Sequence, residues 1–192
     1  LRALGATVVA VEPQRKCCDV LRREFLTDPN VIIEQCALGS QPGTGRLGLV
    51  DGASPLASLA EDWRRGGPFA HLFSDKTETV TITTLDELIQ RHGMPIFIKI
   101  DVEGYEAEVL RGLHQAPTYL SFEYVAQLTK NAEQCMSLLD ALGPMRYNYS
   151  SGDTMRWRFQ KWVSGKELLS LLNSMPNTTT EWGDIYAHNT SI

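Results

Sequence analysis

The sequence predicts an α/β domain with a mainly parallel sheet and an antiparallel edge near its C-terminus. Short runs rich in Val and Ile alternate with amphipathic segments along the chain, the pattern of strands joined by helices. The run at residues 6–11 is apolar on both faces, as expected of a strand covered by helices on either side. The late strands follow one another through short connections, which favours antiparallel pairing. A length of 192 residues, with 43% hydrophobic and 21% charged side chains, suits one compact domain spanning residues 1–192.

The elements follow in order. Leu1 to Leu4 read as the tail of a helix that stops at Gly5. The first strand, residues 6–11, ends at Glu12 and Pro13. Residues 15–25 predict a helix with Cys18, Leu21 and Phe25 on one stripe and arginines opposite, broken at Asp28, Pro29 and Asn30. Residues 31–37 predict a strand, and the Gln41, Pro42, Gly43 and Gly45 turn cluster leads to a short strand at 46–50, the two reading as a strand with a hairpin extension. Residues 51–76 carry no sustained periodicity and predict a long loop, either a lid over a substrate or a disordered stretch.

Val80 and Ile82 then alternate with Thr81 and Thr83 as a strand, and Thr84 with Glu87 forms a capping box that opens a helix ended by Gly93 and Pro95. A strand at 96–101 precedes a helix carrying Val109, Leu110 and Leu113. Another strand at 119–123 and a helix at 133–142 follow. The chain closes with strands at 147–150 and 156–163, a second capping box at Ser164 and Glu167 that opens a Leu-rich helix, and a strand near 185–187.

Composition excludes several function classes. A net charge of −5 lacks the basic footprint that phosphate-backbone binding needs, so no nucleic-acid partner is expected. The alternation of Arg156, Arg158 and Lys161 with Trp157, Phe159 and Trp162 reads as a half-buried strand rather than a base-stacking surface. No apolar run approaches the ~18 residues of a membrane span. Cys17, Cys18, Cys36 and Cys135 have neither CxxC spacing nor the density of a disulfide scaffold, which points to reduced thiols in a cytoplasmic setting. No metal site is expected from the cysteine spacing, and the absence of a His cluster argues against a dedicated transition-metal site, while the sequence leaves open whether a metal assists the chemistry. Asn-x-Ser/Thr triplets at Asn148, Asn177 and Asn189 read as chance occurrences.

Ligands of open α/β sheets bind beyond the carboxyl ends of the strands, so the polar residues placed there are informative. Three apolar strands terminate in acids, Glu12, Asp101 and Glu123, which gather in one shared crevice if those strands are parallel neighbours. Strand alternation puts Lys99 on the same face as Asp101, and a lysine in such a place needs a carboxylate or a ligand as partner. Helix capping alone would account for Asp101, and a solvated acid before a proline turn would account for Glu12. A carboxylate at Glu12 can accept from both ribose hydroxyls of an adenosine-containing cofactor, whether nicotinamide or sulfonium.

These residues fall into an ordered set. Ala6 to Pro13, then Cys36-Ala37-Leu38-Gly39, then Thr84-Leu85-Asp86-Glu87-Leu88, then Lys99-Ile100-Asp101-Val102-Glu103-Gly104-Tyr105-Glu106, then Trp182 to Ala187 together resemble the FkbM-type methyltransferases. The resemblance implies a Rossmann-like three-layer sandwich and transfer of a methyl group from S-adenosylmethionine to a hydroxyl of a sugar or small metabolite. It implies that Glu12, followed by Pro13, holds the ribose. Cys36 and Ala37 would lie beside the adenine, and Asp101 would face the methionyl part or the acceptor.

On that reading Asp101 or Glu103 takes or orients the acceptor proton, Lys99 sets the local field, Tyr105 helps place the acceptor and Glu123 contacts it. Members of the family carry a strand and a Gly-rich turn just ahead of the helix that precedes Glu12; that segment is expected upstream of Leu1 and missing from this chain. The alternatives on the same layout are a nucleotide-dependent oxidoreductase and a non-catalytic module.

Overall fold

The computed structural model describes residues 2–50, 56–67, 69–154, 156–175 and 182–191. A 3-10 turn at Arg2–Leu4 stops at Gly5, whose φ of 83° suits a residue without a β-carbon. Strand β1 (Val8–Val11) and β2 (Val31–Glu34) pair in parallel, with Val8 level with Val31, and α1 (Arg15–Glu24) crosses between them. The apolar stripe of α1 is narrower than its sequence predicts. Cys18 is buried, whereas Phe25 is 37% exposed at the helix end, because a two-stranded ribbon offers little surface to cover.

The expected strand at 31–37 breaks after Glu34. The chain moves into a second sheet through β3 (Ala37–Leu38), followed by β4 (Gly43–Val50). The predicted loop at 51–76 is a correction. Within it lie α2 (Glu61–Gly66), a 3-10 turn at Ala70–Leu72 and the first part of β5 (Phe73–Thr83); residues 51–55 and 68 lie outside the described residues. Six helical residues are too few to show a period, so α2 left no signal. The partner of β4 is β5, in an antiparallel ladder running from Gly43 opposite Ile82 to Val50 opposite Phe73, and not the preceding strand. The order in this sheet is β3-β5-β4.

Helix α3 (Leu85–His92) starts at Thr84, whose hydroxyl accepts from the Glu87 amide. Only half of the predicted box forms, since the Glu87 carboxylate accepts from the Thr83 hydroxyl instead of the Thr84 amide. Strand β6 (Phe97–Ile100), helix α4 (Glu106–Arg111), strand β7 (Tyr119–Val125), helix α5 (Thr129–Leu142), strand β8 (Met145–Ser151), helix α6 (Gly165–Ser174) and strand β9 (Trp182–Asn189) complete the chain. The third sheet has the order β6-β7-β9-β8, parallel between β6 and β7 and antiparallel beyond, as the late connections foretold.

Among the described residues parallel and antiparallel ladders alternate across three sheets, so the architecture is mixed α/β. A mainly parallel sheet is not what these ladders form. The main core lies on one face of the third sheet, where Ile98, Ile100, Leu120, Phe122, Tyr147 and Ile185 meet apolar residues of α4, α5 and α6. Ser164 and Glu167 form the complete capping box at the start of α6.

Residues 156–163 are not a strand. One bridge joins Val163 to Tyr147, and the rest is irregular, fastened by the Asn148 side chain, which donates to the Phe159 carbonyl (3.0 Å) and accepts from its amide (3.1 Å). The alternating aromatics instead cover the second face of the sheet: Trp157 meets Tyr186 edge-on at 4.7 Å, and Trp162 leans on His188. Asn148 and Asn189 are buried and so closed to glycosylation; Asn177 lies outside the described residues. All four cysteines are free thiols. No described helix is long and apolar enough to cross a membrane.

Candidate functional site

The carboxyl ends of β1 and β6 open onto one cavity of about 670 Å³. Its lining includes Glu12, Pro13, Cys36, Ala37, Lys99, Asp101 and Tyr105, seven of the nine residues singled out from sequence. The remaining two, Glu103 and Glu123, are not among its lining and gather on the far side of Asp101. The expected common crevice for Glu12, Asp101 and Glu123 is therefore two adjoining sites that share Asp101. Strand β1 pairs with β2 and β6 with β7, and both strands line the cavity along their whole length.

Glu12 leaves β1 half-buried, and burial raises its pKa against the opposing pull of the Gln14 amide, which donates to Oε1 at 2.7 Å. The Gln14 side chain also hydrogen-bonds this carboxylate, which lines the cavity. Cys36 and Ala37 are buried beside it as a small apolar wall. Burial pushes the Cys36 thiol up to about 11, so it stays protonated near neutral pH and acts there as a small apolar group.

Lys99 is level with Ser121 on β7, and Glu123 is level with Asp184 on β9. The Lys99 ammonium crosses the face of the sheet to Asp184 at 2.8 Å and to Asp101 at 3.2 Å. Burial alone would lower its pKa, but the two carboxylates outweigh that and raise it, so the lysine stays charged. Asp101 was among the partners expected from sequence, and Asp184 was not. Its signal was the alternation of Asp184 with Tyr186 on one face of the last strand, but which strand lies beside it is a tertiary matter.

Asp101 does not cap the following helix. The N-cap of α4 is Tyr105 without a side-chain bond, and the turn is organised by Glu106. That carboxylate, 1% exposed, accepts from the amides of Val102 (3.3 Å) and Gly104 (3.1 Å) and from the Asn131 amide group (2.6 Å). Glu103 is consequently held at φ 56°, a left-handed conformation uncommon for a side-chain-bearing residue, and Gly104 follows at 86°. A β-carbon on Gly104 would stand 3.1 Å from the Trp63 ring. The Ser58 hydroxyl donates to the Glu103 carbonyl at 2.7 Å, so the part of the predicted lid that the structure describes packs on this turn.

Glu103 and Glu123 are both strongly perturbed. Burial, then the Asp101 and Glu106 carboxylates, raise Glu103 to about 7. Burial, then Asp101, Glu103 and Glu106, raise Glu123 to about 8 despite the opposing Lys99. The hydroxyl of Tyr105 is also shifted up by burial.

The sequence profile of the Methyltransferase FkbM domain matches residues 1–142, which include β1, β6 and β7 with Glu12, Asp101, Glu103, Glu106 and Glu123. The chain belongs to the FkbM methyltransferase family. A comparison with curated proteins finds no match. Membership of the FkbM family makes methyl transfer the activity class and favours it over the oxidoreductase alternative.

Proposed function

We propose that this FkbM-family chain is a Rossmann-like S-adenosylmethionine-dependent O-methyltransferase, one domain over residues 1–192, acting on a hydroxyl of a sugar or small metabolite. The observation that carries the reading is the convergence of Glu12, Cys36, Ala37, Lys99, Asp101 and Tyr105 on a single cavity. Its volume of about 670 Å³ lies within the usual range for a cofactor-sized ligand. The donor set fits as well: the cavity-lining Glu12 carboxylate suits a ribose, and the buried Cys36–Ala37 wall suits a flat base.

When bound, S-adenosylmethionine supplies a methyl group on a sulfonium sulfur, reactive toward an oxygen nucleophile. The chain must hold that oxygen in line and manage its proton. Asp101, half exposed at the shared edge of the two sites, is placed to accept the acceptor hydroxyl's proton or orient it, with Glu103 beside it. Lys99 orients Asp101 through the ion pair at 3.2 Å. Tyr105 lends a hydroxyl on the cavity side, and Glu123 on the opposite side contacts the acceptor. Four free thiols support a cytoplasmic location.

Isothermal titration calorimetry tests the cofactor. Heat is expected with S-adenosylmethionine or its demethylated product and none with NAD; the reverse pattern ends this reading, and silence toward both leaves the non-catalytic alternative standing. Asp101→Asn should keep cofactor affinity while turnover on a panel of hydroxylated acceptors falls about 10²-fold or more. Full turnover in Asp101→Asn would remove the residue from proton handling.

A further inference from the structure

Asp101 follows the end of β6, Glu123 lies within the neighbouring parallel strand β7 one residue past their shared ladder, and Glu103 rises from the turn between β6 and α4. One carboxylate oxygen of each lies within 4.8 Å of one from each of the others. Carboxylates this close repel unless donors or cations intervene. Glu103 has neither. The residue is 8% exposed, its carboxylate meets no hydrogen-bond donor or basic side chain among the described residues, and its charged neighbours are the acids Asp101 and Glu106. Around Glu123 the balance is similar, with three acids against Lys99, and Lys99 is already bound to Asp184.

We propose that Asp101, Glu103 and Glu123 form a binding site for one hard divalent cation of the size of Ca2+. Three oxygen donors without nitrogen or sulfur select the hard cations over Zn2+ or Cu2+. Two oxygens on one ion can be no farther apart than twice the metal–oxygen bond, about 4.6–5.2 Å for Ca2+ and roughly 4.0–4.2 Å for Mg2+. A spread of up to 4.8 Å therefore accepts the larger ion as the side chains stand. The Glu106 bonds to the turn and the Ser58 bond to the Glu103 carbonyl hold Glu103 in this aim, the part that outer partners play at metal sites. Asp101, with 45% of its side chain exposed, leaves a way in from solvent.

This site departs from the sequence expectation of no metal, which rested on the scarcity of His and Cys ligands rather than on oxygen donors. It also goes beyond the proposed methyl transfer, where the same acids act as free carboxylates. A Ca2+-sized ion takes six to eight ligands, so three protein oxygens leave positions at which an acceptor hydroxyl would bind and lose its proton more readily.

The experiment titrates the metal-stripped 192-residue chain with Tb3+, a Ca2+ substitute that emits when a nearby tryptophan is excited, and Trp63 packs on Gly104 beside the site. Sensitised emission should saturate at one ion per chain and be displaced by Ca2+. Glu103→Gln and Glu123→Gln, checked for fold by circular dichroism, should each weaken binding about tenfold or more. Glu103→Gln relieves crowded charge without altering shape, so it should melt above the ion-free wild type and lose the rise in Tm that Ca2+ gives the wild type. Absence of saturable binding by the folded wild type at about 1 mM Ca2+, or binding that both variants leave unchanged, overturns the proposal. Failure of S-adenosylmethionine to bind would leave this titration unaffected, so the two readings stand or fall separately.

Discussion

Glu106 is the residue on which the geometry of the carboxylate site depends, although no ligand need touch it. Its two oxygens satisfy the amides of Val102 and Gly104 and the Asn131 side chain, and no water competes at 1% exposure. Removing it in Glu106→Ala leaves these donors unmet and the turn free to relax out of its left-handed pair. The expected loss is roughly 3 kcal/mol, read from the urea midpoint. Glu106→Gln keeps an acceptor for the two backbone amides and should lose about 1 kcal/mol. Equal losses in the two variants would show that volume, and not hydrogen bonding, is what Glu106 supplies.

At the scale of elements, one segment that reads as a strand is held in another form by a single side chain. Residues 156–163 alternate polar and aromatic like a strand, yet Asn148 takes both backbone groups of Phe159 and leaves Trp157 54% exposed. Asn148→Ala should release this segment. The variant is expected to be cut by trypsin at Arg156, Arg158 and Lys161 several-fold faster than the wild type; equal cleavage rates would mean that the Tyr147–Val163 bridge and the bond from the Arg158 amide to the Tyr149 carbonyl suffice. By contrast the α6 capping box, legible as Ser164 and Glu167 three residues apart, forms in full because each partner lies within one turn of the other. Ser164→Ala should cost about 1 kcal/mol in a urea titration.

Across the whole molecule, the β1–α1–β2 unit and the third sheet stand on either side of the cavity, and charge ties α3 to β2. Arg91 and His92 of α3 both reach Glu34 on β2, at 2.9 and 2.6 Å. The His92 bond and the Arg91 charge hold the Glu34 carboxyl below its ordinary value against a smaller effect of burial. A lowered native pKa means that the clamp contributes fully above the unfolded glutamate value of about 4.3 and is lost as pH falls through the native value. Glu34→Gln is accordingly expected to lower the urea midpoint at neutral pH and to match the wild type near pH 2. A variant whose deficit persisted unchanged in acid would show that the clamp is not electrostatic.

What the sequence determined by itself is local. Strand ends followed by Glu12 and Asp101, helix starts with capping pairs, and the Lys99–Asp101 face all follow from periods of two and 3.6 and from bonds within a turn, where chain connectivity limits the choices. The strand expected to end at Glu123 instead runs on to Val125 along β9. Only the tertiary structure decided which strands became neighbours. That choice put Asp184 under Lys99, paired β4 with β5, and separated Glu12 from the carboxylates at Glu103 and Glu123. The reason is that ladder partners are selected by apolar faces far apart in the chain, and a residue at position 184 carries no mark of the lysine 85 positions before it.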